Sequence, residues 1–266
     1  MHIFCMIELL LQTFFPFIIS AFVVILITVI AERYGTKVGG ILGTIPSTII
    51  IAFIFISLNK GVIFASKSAS VVPAEMAINL IFLLVISCLA YRSLSFALVT
   101  SLSLWSILSA SLYFIGVENI FISIVLYVIS LVFSFTFLEK IKKIESYKKV
   151  KVNYTKKKII FRGFFAGIII AIAVFLSNID PMISGIFSIF PAIFLSTMII
   201  TYLEHGPGFT AGMAKSMIFG SQTVMSYIIA VHFLYPTLGI FIGTIYSFLI
   251  SLVVAMFLLK FREKIA

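Results

Sequence analysis

Cysteine, histidine, tryptophan and acidic residues are all scarce in this chain. Its 266 residues include 2 Cys, 3 His, 1 Trp and 9 Asp plus Glu, and 11% of positions are charged, against about 25% in a typical soluble domain. So few charges exclude a soluble single domain and a disordered chain. Cys5 and Cys88 lie in or beside apolar stretches without CxxC spacing, which excludes a disulfide scaffold and reads as two small buried hydrophobes. His2, His205 and His232 are scattered, and no HExxH, GxSxG or P-loop pattern occurs. No metal cluster, nucleophile with its base, or ATP site can be assembled from such residues, so the expectation is a non-enzyme without cofactor or metal.

What the chain has instead is grease: 62% of residues are hydrophobic. They fall into nine apolar segments, 9–31, 39–58, 70–90, 94–115, 119–137, 159–177, 182–203, 216–234 and 237–259. Each approaches the roughly 20 residues that cross a bilayer core as a helix. Membrane strands would alternate over about ten residues, so a barrel is excluded. The first segment reads as a retained span, since residues 1–8 hold no Lys or Arg and no small-residue cleavage site follows.

The formal charge of +10 is read by side of the membrane. With nine spans and the N-terminus outside, 17 of the 19 Lys and Arg fall on the cytoplasmic side, leaving Lys60 and Lys67 outside, as the positive-inside bias requires. The lysines of the loop Glu139 to Lys158 read as a topology anchor against anionic lipid, with no nucleic-acid partner expected. The expected localisation is the cell membrane, multi-pass, with the C-terminus cytoplasmic.

Sliding the chain on itself by 145 residues places Gly40 on Gly185, Pro46 on Pro191, Gly61 on Gly206 and Phe64 on Phe209, with eight identities over 30 positions. About two or three would arise by chance in so biased a composition. The register holds through spans one to four and six to nine. A period of five spans starts the second unit on the opposite side, so the repeats are inverted, an arrangement of secondary transporters with a site near the midplane. The expected fold is all-α, a polytopic transmembrane helix bundle of about nine spans: a first four-helix repeat over 1–117, a linking helix and basic loop over 118–158, and a second four-helix repeat over 159–266.

Span two opens with Gly39, Gly40 and Gly43, then Thr44, Pro46, Ser47 and Thr48. This pattern gives either a kinked helix packed through its small face or a broken helix whose backbone lines a solute path, with Pro191 in the matching place. Glu75 stands inside span three with Asn79 at i+4. A carboxyl there marks proton or cation coupling, or snorkels to water at the interface. Gln222, with Thr223 and Ser226, is spaced to meet a polar solute, and Ser103, Ser106 and Ser109 form an i+3 hydroxyl face suited to close packing. Asp180 before Pro181 reads as a helix N-cap, LEHGPGF around Gly206 as a turn, and His232 as a packed or interfacial imidazole.

The stretch AERYGTKVGGILGTIPSTIIIAFIFISLNKG, together with VVPAEMAINLIF, resembles uncharacterised prokaryotic membrane proteins of the GlpM-like kind, whose short members look like one four-helix unit. In architecture the chain is also similar to the drug/metabolite transporter superfamily, which uses four-helix units and inverted five-helix repeats. It departs from that superfamily in lacking a tenth span, and from the small four-helix drug exporters in having no acidic residue in its first span, so no substrate carries over. The functional expectation is a secondary transporter or permease of a small solute working by alternating access. Thr44, Pro46, Ser47, Thr48, Asn79, Pro191 and Gln222 would lie on its pathway, with Glu75 coupling a proton or cation. The expected partners are the lipid bilayer and the solute, and self-association is compatible. The alternative is a non-catalytic scaffold subunit of an envelope complex; an intramembrane lipid enzyme ranks third.

Overall fold

The computed structural model describes residues 13–26, 46–144 and 155–265. Thr44 and the glycines at 39, 40 and 43 lie outside the described residues. The described chain is helical without strands. Its elements are α1 (Thr13–Leu26), α2 (Ser47–Lys60), α3 (Val62–Leu89), α4 (Leu94–Ile115) and α5 (Ile120–Thr136), which continues into a π-helical turn Phe137–Ile141. After the basic loop come α6 (Lys156–Leu176) and α7 (Pro181–Ser188). The remaining run Ala192–Ile265 is non-helical at Gly206 and Gly239, which divides it into α8 (192–205), α9 (207–238) and α10 (240–265).

Five helices among the described residues are long and apolar enough to cross a membrane, the last of them the apolar run Pro181–Leu258 of 78 residues. Straight, that run would extend roughly 117 Å, about four bilayer cores. It folds back instead. Across Gly239, Ser251 Oγ donates to the Thr223 carbonyl at 2.8 Å and the Tyr235 and Thr244 hydroxyls meet at 2.7 Å. Across Gly206, Ile200 packs on Phe209 and Met213. The result is a helical membrane bundle.

Helix ends follow local chemistry. Asn119 caps α5 through the Phe121 and Ile122 amides, and Asp180 caps α7 through Met182 and Ile183 with Pro181 in the first turn, the expected N-cap arrangement. Two expected loops are shorter than the apolar segments implied. α3 begins at Val62, eight residues before the segment 70–90, so exposed Lys67 lies on a helix and the turn is Gly61 alone. Likewise only Gly206 of LEHGPGF leaves the helix, and Pro207 opens α9. The reason is backbone geometry. Gly61 (φ 85°, ψ 165°) and Gly206 (φ 77°, ψ −176°) occupy a region essentially restricted to glycine, so one residue reverses the chain. Helices then continue past the hydrocarbon, where apolar composition no longer marks them.

α3 forms the centre: 78% of its apolar window is buried, against 22% in α4 and 28% in α5, whose open faces are apolar and suited to lipid. α9 runs antiparallel to it. Ser66 Oγ donates to the His232 carbonyl at 2.7 Å, while His232 Nδ1 lies 2.8 Å from the Ser66 carbonyl. Toward the other end, Ser87 Oγ donates to the Ala211 carbonyl at 3.0 Å. His232 is thus a packed imidazole. α5 closes on α3 through Ser130 Oγ, which donates to the Ala77 carbonyl at 2.8 Å. At one end of the bundle, buried Lys215 of α9 binds Glu139 Oε2 at 2.5 Å and the Ile144 carbonyl at 2.5 Å, and Lys158 of α6 pairs with Glu204 of α8.

No heavy atom lies within 4 Å of a Cβ built on Gly206 or Gly61, so substitution there is opposed by backbone conformation alone. Gly206→Ala and Gly61→Ala are each expected to destabilise the protein by about 1–3 kcal/mol, read as a lower thermal midpoint in detergent. Unchanged midpoints would contradict the single-residue reversals.

Candidate functional site

Proline dictates where the wall of the main cavity breaks. Pro191 has no N–H and its ring disfavours helix in the preceding residue. α7 therefore stops at Ser188, Ile189 turns out of the helix (φ −117°, ψ 18°), and α8 restarts at Ala192. α2 starts in the same way behind Pro46, without a side-chain cap. At 14 residues, α2 extends only about 21 Å, short of the roughly 30 Å bilayer core.

Both helix starts face one cavity of about 70 Å³, lined by Pro46, Thr48, Ser188, Pro191 and Ser221 among mainly apolar side chains of α3, α6, α8 and α9. That volume has room for a few water molecules. The first N–H to close a helical bond is that of Ile50 in α2, onto the Pro46 carbonyl, and that of Leu195 in α8, onto the Pro191 carbonyl. The amides before them lack an intrahelical acceptor, and that of Ala192 donates to the Phe190 carbonyl at 2.7 Å. No acidic residue stands in either first turn.

Behind the break lies a buried polar group. Asn79, fully buried on α3, donates from Nδ2 to the Ile189 carbonyl at 2.8 Å, taking an acceptor the break releases. One turn earlier Glu75, also fully buried, accepts from Ser109 Oγ of α4 at 2.7 Å through Oε1. Its Oε2, the Asn79 Oδ1 and the Trp105 Nε1 have no hydrogen-bond partner among the described residues. The Trp105 indole faces the same carboxyl and packs edge-on against Phe190 of the break, with ring centroids 4.8 Å apart. Gly185 lets α7 press on α3, since a Cβ there would lie 2.6 Å from Val71 Cγ1.

Of the residues singled out in the sequence, Pro46, Thr48 and Pro191 line the cavity, and Ser47 is buried beside it. Asn79 and Glu75 stand behind its wall. Gln222 is turned back on its own helix, Nε2 donating to the Phe219 carbonyl at 3.0 Å, while its neighbours Gly220 and Ser221 face the cavity. Thr223 and Ser226 likewise donate to the carbonyls of Gly220 and Thr223. In α4, Ser103 and Ser106 are exposed, and the buried stripe is Ser101, Trp105, Ser109 and Leu112. Trp105 and the Tyr127 hydroxyl, 2.7 Å from Ser221 Oγ, were not singled out. The visible signal for Trp105 was its place midway between two serines at i+4 spacing.

Comparison with known proteins finds no matching family, curated protein or solved structure.

Removing the Ser109 hydroxyl strips Glu75 of its hydrogen-bond donor, a loss of about 1–3 kcal/mol at a buried charged or polar acceptor. Ser109→Ala should therefore lower the thermal midpoint, whereas Ser106→Ala, on the exposed face, should leave it within the scatter of surface substitutions. Equal effects of the two would contradict the assigned stripe.

Proposed function

We propose that this protein is a secondary transporter or permease that moves a small solute by alternating access around the cavity. The observation that supports it most is the convergence on one cavity of two helix starts, behind Pro46 and Pro191, that stand 145 residues apart. Interrupted helices in corresponding places of two repeats are the mark of a transport site. α2 and residues 192–205 have the same length in the same register, each between a proline and a glycine of similar backbone angles.

The contacts between α3 and α9 support a pseudo-two-fold relation. Ser66 and Ala211 are 145 apart, as are Ser87 and His232, so the contacts Ser66 with His232 and Ser87 with Ala211 exchange under the repeat offset. That reciprocity is what a two-fold axis produces. In this reading two inverted four-helix units, 1–117 and 159–266, flank α5 and the basic loop, giving about nine spans with the N-terminus outside and the C-terminus cytoplasmic. The grouping of Glu139, Lys158, Glu204 and Lys215 at one end agrees with that sidedness. The GlpM-like resemblance of the first unit belongs to the same proposal.

The lining favours a solute with a mainly apolar body and a few polar atoms, met by Thr48, Ser188 and Ser221. Glu75 supplies the proton- or cation-coupling group, because an intramembrane carboxyl without an ion-pair partner is costly to keep and marks function.

A direct test replaces Cys5 and Cys88 and introduces Ser47→Cys or Ala192→Cys. A water-soluble thiol reagent should modify each site from at least one side of the membrane. If both stay inert from either side and under every condition tried, the cavity is not a solute path.

A further inference from the structure

Glu75 and Asn79 do not line the cavity, yet two polar side chains near Glu75, those of Asn79 and Trp105, lead to the break in its wall. Asn79, one turn along α3, holds the Ile189 carbonyl. Trp105, facing the carboxyl, packs on Phe190 at 4.8 Å and Phe187 at 6.4 Å. Ile189 and Phe190 themselves line the cavity. One buried carboxyl therefore stands a helical turn from one support of the α7–α8 junction and faces the other.

We propose that Glu75 is a protonation switch for this junction, with Asn79 and Trp105 as the positioning residues that pass its state to Ile189 and Phe190 and so change access to the cavity. This rests on the reading of the cavity as a solute path and adds the residues that link proton to path.

The hydrogen-bond inventory explains why the two states differ. An ionised carboxylate only accepts, and it draws the donors around it, Ser109 Oγ and the unpartnered Trp105 Nε1. A protonated carboxyl carries one O–H donor, and Asn79 Oδ1 is a fully buried acceptor on the same face without a partner among the described residues. Gain of a proton at Oε2 thus releases the indole that braces Phe190 and offers a donor toward the amide that holds Ile189. The step exchanges one proton with water and needs no co-reactant.

Other titratable groups on the elements packed around α3 are engaged elsewhere. α7 contains none, and α2 has Lys60 at its end. Tyr127 of α5 meets Ser221, and Tyr113 of α4 is exposed. On α9, Lys215 is held by Glu139, His232 by Ser66, and Tyr227 meets Tyr235 at 3.4 Å. On α3 itself Lys67 is exposed two turns before Glu75, and Cys88 lies more than three turns beyond it. Glu204 and His205 belong to the pair with Lys158 at the end of α8. Among the described residues Glu75 forms no ion pair.

Trp105 is the sole tryptophan of the chain, so its emission reports on the carboxyl directly. In the purified full chain with Cys5 and Cys88 replaced, two signals are followed across pH. One is Trp105 emission. The other is the labelling rate of Ala192→Cys, divided by that of an exposed control, Glu118→Cys. Both should change with a common midpoint, the labelling ratio by roughly threefold or more, as for a two-state junction whose populations move by that factor. Glu75→Gln should flatten both, and Glu75→Asp, which keeps a carboxyl, should retain a titration. Asn79→Leu should keep the emission change while its labelling response falls, and Trp105→Phe should lose labelling response with the ring preserved.

A labelled but pH-independent Ala192→Cys overturns the switch and leaves the path standing. A full response in both Asn79→Leu and Trp105→Phe, or in Glu75→Gln, also overturns it. Failure to label at any pH overturns the path itself.

Discussion

α3 and α9 run antiparallel through the middle of the bundle, tied near one end by Ser66 and His232 and near the other by Ser87 and Ala211. In hydrocarbon, helices gain little from burying apolar surface against one another, so small residues and interhelical hydrogen bonds set the contacts. This pair provides both. α4, α5 and α7 pack on the same α3, and α10 returns onto α9 through Ser251. Separating α3 from α9 would remove the surface against which most remaining helices are placed.

A second constraint follows from the first. Irregular backbone at membrane depth persists only where it is enclosed by protein or lines a cavity. The gap between α7 and α8 meets both conditions. Its Ile189 carbonyl is taken by Asn79, its phenyl ring at Phe190 is braced by Trp105, and Ile189, Phe190 and Pro191 line the cavity. Asn79 and Trp105, with Glu75 and Ser109 beside them, are therefore the polar support of the junction between α7 and α8.

Much of this was legible in the sequence, for identifiable reasons. Glycine and proline punctuate helices by covalent geometry, so Gly61, Gly206, Pro46 and Pro191 stood out at one offset, and Asp180 before Pro181 announced its cap. Helix length was less legible. Apolar composition marks hydrocarbon, and α3 and α9 extend beyond their apolar segments through Lys67 and Lys215. Phase was the weakest signal. In α4 the exposed Ser103 and Ser106 looked equivalent to Ser109, because in a uniformly apolar helix neither face is marked by charge. Gln222 pointed toward a solute by composition, yet its amide is taken up by the preceding turn. The significance of Trp105 depended on a tertiary neighbour, Phe190, which sequence spacing does not reveal.

The relation between the two halves is tested most directly by paired cysteines across α3 and α9 in a background without Cys5 and Cys88. In membranes, Ser66→Cys with His232→Cys and Ser87→Cys with Ala211→Cys should each form an intramolecular cross-link under mild oxidation, while the mismatched pair Ser66→Cys with Ala211→Cys should not. Cross-linking of the mismatched pair, or of neither matched pair, would contradict the antiparallel, reciprocal contact on which the account rests.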